Sequence, residues 1–339
     1  MSAPPLPQSS VVIDGLVYFC DGDPSPLRAG GVAAANITVT HMHWGLEETI
    51  TGLGRWHRRL AAADSPWRLV RGAADIVAAH EEGRTGLIMG WQNSLPLGGQ
   101  VDRVAAFHAL GLRIIQLTYN EANAAGDGCL EERGGGLTRF GLALVAEMNQ
   151  VGIAIDLSHC GEQTTIEAAR ASTRPVLATH ANAKALDDQV RNKSDEAIRA
   201  IARTGGVIGA SIHGFMNWDG DPGHPPTLAN FARHARYIAD LVGVEHVGIG
   251  TDFSAVRDEH NVRSILELSK GAYPETGGKY AQAFGNSSAG RYPAETPSPA
   301  HFPHIIEALE KSGFNRDEVS AIAGGNFLRV LGQIWDSPQ

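Results

Sequence analysis

The chain has 339 residues, 43% hydrophobic and 19% charged, which is long enough to bury a large core. Its net charge of −9 and its scattered 28 Lys and Arg residues exclude a nucleic-acid partner, because phosphate binding needs clustered basic side chains. Cys20, Cys129 and Cys160 are not closely paired, which is typical of reduced thiols in the cytoplasm. The first ten residues lack a secretion-signal pattern, and no apolar run reaches the ~20 residues that cross a bilayer. We therefore expect a soluble, cytoplasmic protein without a membrane partner.

Short apolar or β-branched runs alternate with amphipathic segments along the chain, a pattern that predicts parallel strands covered by helices on both faces. The predicted strands are Val11–Ile13, Ala34–Thr40, Thr85–Met89, Ile114–Leu117, Ile153–Leu157, Val176–Thr179, Val207–Ser211 and Val247–Ile249. The predicted helices are Gln100–Leu110, Leu137–Gln150, Glu162–Ala171, Asp195–Thr204 and Thr227–Leu241. Eight strands favour a closed (β/α)8 TIM barrel, as one domain over residues 1–339. An open doubly wound sheet is the alternative, although no dinucleotide glycine motif supports it.

Two segments depart from this alternation, and a tail follows them. Ala255–Thr296 is rich in Gly, Ser, Asn and Tyr and reads as a long loop after the last strand, where it would form a functional cover or a homodimer contact. Gly223–Pro226 is a shorter insertion. The tail, His301–Trp335, is predicted to be helical, with Asn315 as an N-cap and Glu318 completing a capping box.

Polar side chains stand directly after three of the predicted strands. They are His159, His180 and Asp252, and in a barrel the carboxyl ends of strands meet at one mouth. Imidazole and carboxylate groups are ligands for a zinc-like ion, so this pattern favours a metal or acid–base site. The alternative is structural, with the histidines satisfying backbone carbonyls and Asp252 capping a helix.

Several segments look like the signature blocks of one enzyme family. They are Gly136–Gly141, Glu147–Asn149, Gly152–His159, Arg191–Glu196, Val247–Phe253 and Gly325–Arg329. In this order they resemble the membrane (renal) dipeptidase family of amidohydrolase-like zinc metallopeptidases. The chain is similar to a divergent, bacterial-type member, for which the resemblance implies a metal-dependent barrel hydrolase that cleaves dipeptides.

The resemblance also implies roles for individual residues. His159 and His180 match the two histidines that hold one zinc of the family's dinuclear site. Arg191 matches the arginine that binds the substrate carboxylate, a task that suits its planar fork. Asp252 matches the aspartate that carries protons during catalysis.

The resemblance continues in a loop on the substrate side of the site. Asn120 lies in a segment similar to that loop, and Tyr119 stands where the family carries a histidine. The resemblance therefore implies that both residues line the substrate pocket.

The other half of the family's metal site is missing. The family begins with Asp-Gly-His-x-Asp, whose His and Asp bind the second zinc, but this chain has Leu16 and Tyr18 there. Leucine is no ligand, and tyrosine would need to ionise far below its usual pKa of about 10. The bridging glutamate is also absent, since the alignment places Gly90 or Gln92 at its position. We therefore expect at most one zinc per chain.

Three arrangements stay open for the altered site. In the first, one zinc binds His159 and His180, completed by Gln92, water or Asp252. In the second, His41 and His43, which share one face of an extended segment, replace the lost ligands. In the third, no metal binds, and the protein acts on or merely binds a different small carboxylated metabolite. All three predict a small-molecule ligand with a carboxylate.

Overall fold

Parallel strands form a closed ring at the centre of the structure, a computed structural model that describes residues 11–18, 22–254, 278–284 and 291–336. The strands are β1 (Ile13–Tyr18), β2 (Ala34–Thr38), β3 (Trp67–Leu69), β4 (Thr85–Trp91), β5 (Leu112–Gln116), β6 (Ala154–Asp156), β7 (Leu177–Ala178), β8 (Val207–Ala210), β9 (Val247–Ile249) and β10 (Phe253–Ser254). Around the ring the order is β10-β1-β2-β4-β5-β6-β7-β8-β9, with β3 paired only to β4. Because β9 pairs with β8 and the chain continues into β10, which pairs with β1, these two short strands together close the barrel. The predicted (β/α)8 barrel is confirmed.

The first strand differs most from its prediction. It begins at Ile13 and continues through Leu16 and Tyr18, whereas the prediction, Val11–Ile13, ends where the strand begins. Every residue of the strand is buried, because it pairs with β2 on one side and β10 on the other. The additional strand β3 is only three residues long and carries no alternation that a sequence pattern would detect.

Helices surround the barrel. They are α1 (Ser25–Ala29), α2 (Leu46–Leu60), α3 (Ala73–Glu81), α4 (Arg103–Ala109), α5 (Arg139–Val151), α6 (Glu162–Ala171), α7 (Asp195–Arg203), α8 (Leu228–Val242), α9 (Lys279–Phe284), α10 (Phe302–Lys311), α11 (Arg316–Ser320) and α12 (Asn326–Trp335). The five predicted helices agree with α4 to α8 within three residues at each end. None of the helices in the described part of the chain has the length and apolar character that spanning a bilayer requires.

The helical tail closes the end of the barrel where the strands begin. Phe327 of α12 is buried in a cluster with inward residues of the strands, among them Ile13. A Cβ added at Gly15 or at Gly248 would lie 2.8 or 2.5 Å from the Phe327 ring, so both strands need glycine to admit that ring. The opposite end of the barrel is therefore left for chemistry.

The tail also confirms the predicted capping box. Asn315 Oδ1 accepts hydrogen bonds from the backbone N–H groups of Asp317 and Glu318, both at 3.0 Å. Glu318 Oε2 accepts from the Asn315 N–H at 2.8 Å. These bonds satisfy N–H groups that the first turn of α11 leaves without a helical partner.

The predicted long loop, Ala255–Thr296, lies partly outside the described residues, which omit 255–277 and 285–290. Its described part contains α9, whose Tyr280 packs in an aromatic cluster with Trp218 and Phe284. This segment therefore covers the loop that follows β8.

Candidate active site

Two buried histidines meet at the mouth of the barrel. His159 follows β6 and His180 follows β7, and their Nε2 atoms lie 3.0 Å apart. Burial lowers the pKa of both rings well below the usual value, with the Arg191 guanidinium as the next cause for each. Two neutral imidazoles therefore face each other through the same nitrogen.

The neighbours of the two rings determine where their protons lie. Asp156 accepts hydrogen bonds from the backbone N–H and the hydroxyl groups of Ser158 and Thr179, at 2.5 to 3.0 Å. Since the Thr179 hydroxyl donates to Asp156, its oxygen accepts from Nδ1–H of His180 at 2.9 Å. Asn120 Oδ1 accepts likewise from Nδ1–H of His159 at 2.7 Å.

This proton arrangement leaves both Nε2 atoms with lone pairs that point at one another. Such a pair of lone pairs repels unless a proton or a metal ion lies between or beside the two atoms. Metal-binding histidines commonly have their other ring nitrogen fixed in this way. The donor set therefore fits one cation.

Arg191 lies near the histidine pair on a loop that a buried hydrogen bond between two side chains holds in place. One of its terminal nitrogens donates a short hydrogen bond to the Ser158 carbonyl, and Nη2 has no partner among the described residues. Behind it, His234 and Asp187 are bonded at 2.7 Å, both fully buried. Within the described part of the chain, Nη2 of Arg191 is therefore available to bind an anion.

Asp252 lies between β9 and β10, on the side of the barrel next to β1. Among the residues that the structure describes, it is the one non-glycine residue with a positive φ, which is 57°. Aspartate tolerates this conformation better than most residues do. Burial raises the pKa of its carboxyl group to about 6, although Arg291 and Arg191 both act to lower it. The alternative that Asp252 caps a helix is wrong, because a strand follows it.

Two functional candidates were missed by the sequence reasoning. Arg291 donates from Nε to Nε2 of His213 at 2.8 Å, and its guanidinium carbon lies 4.8 Å from the centre of the Tyr18 ring. Both residues are at least nine-tenths buried. His213 stands three residues after the end of β8, and this position was the only available sequence signal.

The remaining predicted residues lie around the same mouth at different depths. The Tyr119 ring stacks on His159 with centroids 4.2 Å apart, and His43 contacts Tyr119 edge-on at 5.7 Å. His41 Nδ1 instead accepts from the backbone N–H of His43. Gln92 donates its amide to the Thr38 hydroxyl at 2.9 Å. Within the described ranges, no three His, Cys, Asp or Glu side chains gather as a metal-holding group, so neither Asp252 nor the pair His41 and His43 completes one with His159 and His180.

The structure does not fit a second metal ion. Leu16 is buried within β1, and the Tyr18 ring lies under the Arg291 guanidinium. At Gly90, an added Cβ would lie 1.9 Å from Oδ1 of Asn36, so the Asn36 amide fills the space that a bridging glutamate would use. A dinuclear centre is therefore not formed by these residues.

Sequence comparisons place the chain among dipeptidases. A family model described as membrane dipeptidase (peptidase family M19) matches residues 27–268. Dipeptidase verJ of Clonostachys rogersoniana is 30% identical over 94% of this chain and 73% of its own length. Dipeptidase aclJ of Aspergillus oryzae is 29% identical over 75% of this chain, which spans about half (53%) of that relative.

Solved structures share the fold. An amidohydrolase from Pseudomonas aeruginosa has a TM-score of 0.85 and 32% identity, with 97% of this chain and 98% of that chain covered. A metallo peptidase from Rhodobacter sphaeroides, solved with a phosphinate mimic of the dipeptide L-Ala-D-Ala, has a TM-score of 0.78 at 20% identity, covering 96% and 99%. At 20% identity, the similarity to the Rhodobacter sphaeroides peptidase shows a shared fold only.

Proposed function

The chain belongs to the membrane dipeptidase family (peptidase family M19), and from that premise we propose that it hydrolyses a dipeptide or a related carboxylated amide with a single zinc ion. The observation that carries the proposal is the convergence of the His159 and His180 lone pairs at 3.0 Å. A metal-binding hydrolase explains this arrangement, whereas a purely structural histidine pair would share a proton instead.

The two imidazoles would hold the zinc, and groups such as water or Gln92 would complete its coordination. When bound, it supplies a Lewis acid and lowers the pKa of a coordinated water towards neutrality. Asn120 and Thr179 keep the two rings in the ligating tautomer, so the protein prepares the site before any ion arrives.

Arg191 orients the substrate. Its Nη2, which has no partner among the described residues, offers a charge-assisted hydrogen bond to the carboxylate of the substrate, and its bond to the Ser158 carbonyl fixes the direction of the fork. Tyr119 adds an apolar wall over His159. Holding the carboxylate in one place presents the amide to the reacting groups in a fixed orientation.

Asp252 moves the proton. With a pKa of about 6 its carboxylate is largely ionised at neutral pH, so it accepts a proton from the attacking water and returns it to the leaving amine. The positive φ of Asp252 keeps this side chain at the junction of β9 and β10, where both arginines influence it electrostatically.

A second candidate function is a metal-free family member that binds a small carboxylated metabolite. It is favoured by Leu16 and by the Asn36 amide packed against Gly90, which remove the second metal position. Elemental analysis of the purified protein, together with turnover of a dipeptide panel before and after chelation, separates the two. One zinc per chain with chelator-sensitive hydrolysis supports the zinc hydrolase, whereas no metal and no turnover supports the binding protein.

The proposal includes a cytoplasmic location. It is supported by Cys129 and Cys160, neither of which forms a disulfide among the described residues. Fractionation of the producing cell tests it, and recovery of the protein outside the cytoplasm would contradict it.

A further inference from the structure

Two buried guanidinium groups contact loops that follow different strands. Arg191 contacts the Ser158 carbonyl after β6, while Arg291 contacts His213 after β8 and Tyr18 at the end of β1. Asp252, between β9 and β10, interacts electrostatically with both arginines. Of these two arginines, only Arg191 binds the substrate in the proposed mechanism.

Three buried N–H groups in this region lack acceptors among the described residues. They are Nη2 of Arg191, Nη1 of Arg291 and Nδ1 of His213. Because His213 Nε2 accepts from Arg291, the proton of this ring lies on Nδ1, which is therefore a donor. A buried donor without an acceptor is destabilising, so the region is built to receive further acceptor atoms.

A guanidinium group favours an anionic acceptor, because a charge-assisted hydrogen bond is stronger than a neutral one. Among the described residues, Arg191 and Arg291 both act electrostatically on one carboxylate, Asp252. A ligand carboxylate on Arg191 matches the remaining guanidinium charge in number, but it leaves Nη1 of Arg291 and Nδ1 of His213 without acceptors among the described residues. A second anionic group on the ligand would supply these acceptors.

We propose that Arg291, positioned by its hydrogen bond to His213, is a second anion-binding residue, and that the substrate is an amide bearing two carboxylates, such as a dipeptide with an aspartyl or glutamyl residue. This inference rests on the proposed function, because it names the substrate class of the same site. A carboxylate is the fitting partner because its two oxygens match the planar fork of arginine.

The test compares acidic dipeptides with their amide isosteres. The zinc-loaded protein is assayed with Ala-Asp against Ala-Asn and Asp-Ala against Asn-Ala, in wild type and in Arg291→Gln. We expect the wild type to prefer the acidic member of one pair by about 10- to 100-fold in kcat/KM, the range of a charge-assisted hydrogen bond. In Arg291→Gln this preference falls towards unity, because the KM for the acidic substrate rises more than the KM for its amide isostere.

Two further variants and one binding measurement complete the design. Arg199→Gln removes a half-exposed arginine from α7 and keeps the preference, and Arg291→Lys, which retains charge but loses the fork, gives an intermediate preference. Thermal unfolding shows that each variant is folded. Calorimetric binding of aspartate against asparagine needs no turnover, so it tests the anion site even if no dipeptide is cleaved.

Three results would overturn the assignment. The first is an unchanged acidic preference in folded Arg291→Gln, by assay and by calorimetry. The second is an equal fall of kcat for acidic and neutral dipeptides, which would place Arg291 at the reacting amide instead. The third is Arg291-dependent binding of inorganic phosphate that is tighter than binding of aspartate, which would assign the subsite to phosphate.

Discussion

Nε2 of His159 lies 3.0 Å from Nε2 of His180, and the hydrogen-bond partners of both rings leave a lone pair on each of these atoms. The pair therefore offers two lone pairs to one cation, and its two members follow different strands. Metal binding at this pair depends on both side chains and on the groups that hold their tautomers. Two predictions test these dependences separately.

Removal of either imidazole should remove the metal. We expect wild type to bind at most one divalent ion tightly, and His159→Ala or His180→Ala to bind none and to lose hydrolysis while keeping the fold. Elemental analysis, circular dichroism and a dipeptide assay measure the three properties. Two ions per chain, or wild-type turnover in both folded variants, would contradict the assignment.

Asn120→Ala should weaken zinc binding without removing a ligand. The Asn120 amide holds the proton of His159 on Nδ1, and loss of such a partner typically lowers metal affinity by about 10- to 100-fold. Competition with a chromogenic chelator measures the affinity. Asn315→Ala serves as the control, because it removes a helix cap far from the mouth and should leave zinc affinity unchanged.

Arg191→Lys should weaken carboxylate binding although the charge is kept. A lysine ammonium cannot both reproduce the bond to the Ser158 carbonyl and present a second N–H in the same plane. We expect about a 10- to 100-fold rise in the inhibition constant of a carboxylate-bearing product, measured by competition in the hydrolysis assay. An unchanged constant would show that another residue anchors the carboxylate.

The pH dependence of kcat/KM should report Asp252. Its ionised form acts as the base, so activity should fall as pH drops below about 6, the pKa of its carboxyl group. Arg291 lowers this pKa, so Arg291→Gln should move the acidic limb to higher pH, whereas Arg199→Gln should not. If the acidic limb of the kcat/KM profile lies at the same pH in Asp252→Asn as in wild type, another group is responsible for this titration.

Asp14 should make the protein less stable as pH rises. Burial raises the pKa of its carboxyl group from 3.8 to about 7, against hydrogen bonds from Thr251 and Leu16 that lower it. The folded state therefore holds a proton that the unfolded state has lost between these two pH values. The contribution of Asp14 to the free energy of unfolding should fall by about 1.4 kcal/mol per pH unit in this window and level off above pH 7.

Asp14→Asn isolates this effect from other titrating groups. Its amide mimics the protonated carboxyl group towards the Thr251 hydroxyl, so the stability difference between variant and wild type should change across pH 4–7. Urea denaturation at a series of pH values measures the difference. A constant difference over this range would mean that Asp14 does not titrate there.

Much of the barrel could be predicted because its strands are short, apolar and separated by amphipathic helices. The strand Val247–Ile249 and the helix Glu162–Ala171 were predicted at their observed bounds. The first strand was predicted too short, since Leu16 and Tyr18 were interpreted as a motif after the strand although they lie within it. Helix α2 was not among the predicted helices, although it is amphipathic and buries Leu53 and Trp56.

His159, His180, Asp252 and Arg191 were named from the sequence alone, because polar residues at strand ends and family-like blocks mark them before any coordinates exist. The sequence also determined that half of a dinuclear site is missing, since neither Leu16 nor Tyr18 carries a suitable ligand. Only the tertiary structure decided which nitrogens of the histidines face each other, that the Asn36 amide fills the space beside Gly90, and that Arg291 reaches back onto Tyr18 and His213. Arg291 is 273 residues from Tyr18 and 78 from His213 in the chain. Such contacts depend on barrel closure and on packing between distant strand ends, which no local pattern of side chains encodes.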